Sequence, residues 1–170
     1  LFTLILLAAA FTTMVTAQVN YTLQSGSTPY ASITGASTFT WTGSSDDGYT
    51  AAAPIGFTFN YCGTDFTEFQ ASTNGFIRMG TGLTASLSSN TLTGSNRSII
   101  APLWDDLAVL DSSADVTYVL SGTAPNRALT VQWKNVKWRY SNATPNAEFQ
   151  VKLFEGTNTI VFHYGVITAS

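Results

Sequence analysis

The chain has 170 residues, with 10 acidic and 7 basic side chains and a formal net charge of −3. Charged residues make up only 10% of it, against roughly 25% for an average soluble domain, while aromatics reach 13%. This balance leaves nucleic-acid binding no basic patch to rest on and is too aromatic for a disordered tail. One cysteine and one histidine exclude an internal disulfide framework and any zinc site needing several such ligands.

Residues 1–17 are expected to form a secretory signal peptide. Leu1 to Phe11 is an uncharged apolar run, and Val15-Thr16-Ala17 sets small residues ahead of a cut before Gln18. The run falls short of the ~20 apolar residues a spanning helix needs, although an uncleaved anchor is the competing reading. With no initiator Met or basic leader start, the N-terminus reads as clipped. Residues 18–170 are expected to make a single domain.

After Gln18 no helical periodicity appears, and short alternating segments take over. A polar loop at Gly43–Gly48 precedes the first well-formed strand, Ile55 to Tyr61, which sets Ile55, Phe57, Phe59 and Tyr61 on one face. Cys62 then reads as a small apolar side chain at a strand end, or as a free thiol able to pair between chains. Gly80–Ser98 reads as a long polar loop holding a frayed strand, and Asp105–Asp115 as an acidic connection. Strands follow at Val116–Leu120, Leu129–Trp133 and Phe149–Leu153, the last with Gln150 and Lys152 pointing outward. Glu155-Gly156-Thr157-Asn158 turns that strand into Ile160–Tyr164 as a hairpin. The pattern predicts an all-β, two-sheet antiparallel sandwich with long polar loops and little helix. The chain stops five residues after Gly165, so it also reads as truncated at its C-terminus.

Catalytic signals are sparse. His163 lies on the strand face opposite Phe162 and Tyr164 and reads as a packing or surface histidine, with no hydrolase elbow, metalloprotease or phosphate-loop motif nearby. Asp105/Asp106, Asp46/Asp47, Glu148 and Glu155 are the acids a glycosidase would need. Adjacent acids on a strand point to opposite faces, so neither Asp pair converges by itself. Asp105, Asp106, Asp111 and Asp115 could together ligate Ca²⁺ through hard oxygens on a loop, the only cofactor the chain suggests. The spacing is not that of an EF-hand, and a solvated acidic loop is the plainer reading. Trp41, Trp104 and Trp133 read as core-filling rings. Trp138, Arg139 and Tyr140, beside the polar turn Ser141–Asn146, are the candidate contact residues for a sugar ring or a protein partner. Asn20, Asn96 and Asn142 begin glycosylation acceptor triplets.

Several segments taken together resemble the nidogen-like (NIDO) extracellular domain. They are Pro54-Ile55-Gly56-Phe57-Thr58-Phe59-Asn60-Tyr61-Cys62-Gly63, Ala71-Ser72-Thr73-Asn74-Gly75-Phe76-Ile77 and Ile99-Ile100-Ala101-Pro102-Leu103-Trp104-Asp105-Asp106-Leu107. The closing pair Phe149–Leu153 and Val161–Gly165 completes the order over about residues 50–165. The chain is also similar to a related N-terminal module of secreted bacterial multidomain surface proteins. Leu103 and Met79 stand where that pattern more often has an aromatic. The shared residues are scaffold: Asn74-Gly75 suits a turn with positive φ, and Pro102 extends the backbone at Ala101. The resemblance implies an adhesive or matrix-type module with no catalytic residues to transfer.

The expected function is therefore a secreted, non-enzymatic adhesion or matrix module of a larger cell-surface protein, contacting an extracellular protein or glycan through Gly80–Ser98 and Ser141–Asn146. Neither nucleic acid nor, after leader removal, a membrane span is expected. A carbohydrate-binding module built on Trp138 and Tyr140 is the alternative, and a hydrolase using Asp105 or Asp106 the third.

Overall fold

The structure, a computed structural model, describes residues 21–87, 89–90 and 98–168. The leader at 1–17 and the acceptor triplet at Asn96 begin outside these residues, as does Asn20. Eleven strands and no helix occur among the described residues. They are β1 (Ser37–Thr38), β2 (Trp41–Gly43), β3 (Gly48–Thr50), β4 (Ala53–Tyr61), β5 (Thr64–Ser72), β6 (Phe76–Met79), β7 (Ile99–Ile100), β8 (Asp115–Ser121), β9 (Ala128–Val136), β10 (Ala147–Phe154) and β11 (Ile160–Ile167).

Two antiparallel sheets form a sandwich. One sheet runs β1-β8-β9-β10-β11; the other runs β2-β3-β5-β6-β7, with β4 also paired to β5. Every strand expected from alternation is present, each a residue or more longer than its pattern. In β4, Ile55, Phe57 and Phe59 are buried while Gly56 and Thr58 face water. They pack with Phe69, Ile77 and Met79 against Val131, Trp133, Phe149, Val151 and Leu153 of the facing sheet. Trp133 joins the sheets directly. Its ring, fully buried, stacks on Phe149 with centroids 5.1 Å apart, and its indole N–H donates to Ser72 O at 2.9 Å.

β5 is the long strand the pattern did not reveal. Phe66 and Phe69 are three residues apart, which breaks the period of two, and Phe69 to Ser72 are buried on both faces. The outer face is covered because Leu83 N donates to Gln70 Oε1 at 2.7 Å, which folds part of the Gly80–Ser98 loop onto the sheet. No strand occurs in the described part of that loop. Between β5 and β6, Gly75 sits at φ 79°, and a Cβ there would stand 1.8 Å from Leu103 O. Only glycine fits that turn.

Two expectations change. Cys62 is not packed at a strand end; it is exposed at φ 52° and, with Gly63 at φ 81°, makes the two-residue turn joining β4 to β5. Gln150 points to the outer face of its sheet yet is fully buried. Residues 28–33, an arm ahead of β1, cross that face and cover it. Gln132 Oε1 accepts from Ile33 N at 2.9 Å and from Gln150 Nε2 at 2.8 Å, and Gln150 Nε2 also donates to Ala31 O at 2.8 Å.

Candidate functional site

The loops at one end of the sandwich hold the residues that the sequence singled out. The connection after β7 pairs with the strand end after β9 through an isolated bridge, Ala108 N to Lys137 O at 3.1 Å and Lys137 N to Ala108 O at 2.9 Å. That bridge brings Asp105 to Trp138, whose indole N–H donates to Asp105 Oδ2 at 2.9 Å. Trp138 is half-buried against the core and its backbone N–H donates to Asn146 Oδ1 at 2.7 Å, so the ring is fastened. Arg139 and Tyr140 remain exposed beside it.

The four acids proposed for calcium do not gather. Asp105 accepts from Trp138 and from Asp106 N; Asp111 Oδ1 caps Ser113 N at 2.9 Å; Asp115 opens β8 opposite Lys134. Among the described residues, no three Asp, Glu, His or Cys side chains converge as a metal group. The fold instead brings Asp106 within charge range of Asp46. Burial first, then the charges of Asp47 and Asp106, pushes the Asp46 carboxyl above its ordinary value. Its Oδ1 is buried without a hydrogen-bond partner among the described residues. Next to it, Asp47 Oδ1 accepts from Asn74 Nδ2 at 3.1 Å and from Ser86 Oγ at 2.8 Å. The other acids are engaged singly: Glu148 by Ser32 Oγ at 2.5 Å, and Glu155 by Arg127. His163 lies under the arm, its ring 5.1 Å from that of Tyr30 and its Nε2 3.2 Å from Thr28 Oγ1.

Trp104 lies outside the core cluster, half-buried, with its ring 5.0 Å from Phe76. Its indole N–H holds the Gly80–Ser98 loop at Leu87 O, 2.8 Å away, so the described base of that loop is pinned.

The opposite margin of the sandwich carries a surface that loop reasoning missed. Register places Ile160, Phe162 and Tyr164 of β11 beside Leu153, Val151 and Phe149 of β10, and therefore on the core-facing side of the sheet. The β10 residues are fully buried, yet Phe162 and Tyr164 are 42% and 45% exposed. The cause is the facing sheet: its last strand, β7, has only two residues and cannot cover them. At the β1/β8 side the margin is instead closed, by the rings of Phe39, Phe69 and Tyr118.

What results is a groove of about 940 Å³ between β11, β7 and the arm, with Tyr21, Leu23, Tyr61, Ile99, Phe162 and Tyr164 on its walls. Among the described residues, no Asp, Glu, Lys or Arg lines it. Two phenols brace it: Tyr61 OH donates to Ile99 O at 2.9 Å, and Tyr164 OH to Pro102 O at 2.6 Å, tying β11 to the facing sheet. Burial, mainly, pushes Tyr61 up to about 12 and raises Tyr164 as well, so both are neutral donors. The groove is an uncharged aromatic slot suited to an extended apolar segment. Its signal in the sequence was β11 itself, eight residues without a formal charge on either face.

Comparison with known proteins agrees with this architecture. The family model described as NIDO related matches residues 20–170. No curated protein and no solved structure matches the chain. The family match runs over most of the sequence, and the chain belongs to the NIDO-related family. That family implies an extracellular module and is not known for enzymes. Among the described residues, no helix is long and apolar enough to cross a membrane.

Proposed function

We propose that this NIDO-related domain is a secreted, non-enzymatic adhesion or matrix-type module that holds an extracellular protein by an extended segment. The observation that carries the reading is the groove: core-facing aromatics left uncovered beside a strand edge, with no charged side chain on its walls among the described residues. Exposed apolar surface of this kind is costly to keep in water and marks interaction sites. An adjacent unpaired edge can add main-chain hydrogen bonds, with alternate side chains seated in the slot.

The glycan alternative rests on the exposed Arg139 and Tyr140, because Trp138 is held by Asp105 and offers only part of its ring. Immobilised matrix proteins and a glycan array, probed with the purified chain, separate the two. Matrix binding that is lost in Phe162→Asp and kept in Tyr140→Ala is expected. Glycan binding lost in Tyr140→Ala and kept in Phe162→Asp would replace the proposal with the carbohydrate reading.

A further inference from the structure

Resting on that reading of the groove, we propose that the extended segment is β11 of a second copy, so that the module makes a homophilic contact. Phe154 N donates to Thr159 O at 3.0 Å, so residues 154 and 159 form a hydrogen-bonded pair. Antiparallel pairs alternate between bonded and non-bonded. By that alternation Val161 and His163 turn their backbone groups to β10, while Ile160, Phe162 and Tyr164 turn theirs to the open edge. Among the described residues no strand pairs with that edge, since β11 pairs only with β10.

Edge strands are ordinarily guarded by Lys, Pro or an inward-pointing charge. β11 has none of these, although a register irregularity bends its far end opposite Ala147–Phe149. Two such edges fit each other by charge. Pairing two copies antiparallel about Phe162 sets Phe162 opposite the same residue of the partner and Ile160 opposite Tyr164. On the other face, Val161 then meets the partner's His163, so the strand's one imidazole never faces its own copy. Other long strands are poorer matches for an uncharged slot: β5 carries Asp65 and Glu68, β8 Asp115, β9 Lys134, and β10 Glu148 and Lys152, while β4, likewise without a formal charge, carries Pro54. Like charges and unpaired charges across an interface select against wrong partners, and an uncharged strand avoids both. The pairing aligns Phe162 with its counterpart on the groove side, an aromatic cross-strand pair.

Sedimentation or light scattering of the intact chain over a dilution series tests this. A monomer–dimer equilibrium is expected, abolished in Phe162→Lys and retained in Leu120→Lys, which alters an exposed apolar residue on another strand. A register test does not depend on the lysine variant's stability. In a Cys62→Ser background, Phe162→Cys is expected to cross-link two copies under mild oxidation, and Thr58→Cys is not. A wild-type chain monomeric at every concentration, or a dimer that survives Phe162→Lys, would overturn the homophilic contact. Matrix binding that still needs Phe162 in such a monomer would leave the proposed function standing, with another protein as partner.

Discussion

Glu155 accepts from the Arg127 guanidinium at 2.8 Å from Nε and 2.5 Å from Nη2, and the same arginine lies over the Phe57 ring and donates to Gly56 O. The hydrogen bond from Arg127 is the main cause that holds the Glu155 carboxyl below its ordinary value. A carboxylate lowered in the native state stabilises the fold above its unfolded value, and that support is lost as pH falls through the native one. Glu155→Gln should therefore melt earlier than wild type at neutral pH, with the gap closing under acid in a melting series from pH 7 to pH 3. Asp46 is the opposite case. Its raised value means that the folded chain holds the proton more tightly than the unfolded one, so ionisation costs stability above the native value and the cost fades as pH falls. Asp46→Asn should melt later than wild type at neutral pH and match it under acid. A wild type that is the more stable of the two at pH 7 would show that the Asp46 charge has a favourable partner.

At the scale of elements, the arm ahead of β1 converts an outer sheet face into an interior one. Gln132 Oε1 collects Ile33 N and Gln150 Nε2, with Tyr30 OH at 3.5 Å. Gln132→Ala leaves those donors without their acceptor in a buried site, where each unpaired group costs about 1–3 kcal/mol. Such a variant should lose on the order of 2 kcal/mol in urea unfolding, and its arm should be cut sooner by protease at Ala31–Gly35 while β9 and β10 stay protected. Alternation made β4, β8, β9, β10 and β11 legible, because apolar side chains recur at every second position in each. It mistook Gln150 for a solvated residue and passed over β5 for the same reason: both are covered by segments distant in sequence. Leu83 covers β5 and the arm covers β10, and a period of two does not tell which polar face another segment covers.

For the whole molecule, a fully buried polar contact joins the sheets inside the apolar interior, Trp133 Nε1 to Ser72 O. Trp133→Phe keeps an aromatic beside Phe149 but removes that bond and leaves a void. It should cost on the order of 3 kcal/mol in denaturant unfolding, by the lost transfer and cavity terms together with the weakened carbonyl. A loss below about 0.5 kcal/mol, the range of an ordinary surface change, would show that the Trp133–Ser72 bond adds nothing to the joining of the sheets. The sequence by itself determined the sandwich, its strands of alternating apolar residues and the NIDO-type turn at Gly75. These follow from local rules of alternation and backbone conformation. Which acids meet, whether Trp138 is free, and where the core lies uncovered were decided only by tertiary structure. Each depends on two segments far apart in the chain: Asp46 with Asp106, Asp105 with Trp138, and an eight-residue β11 facing a two-residue β7.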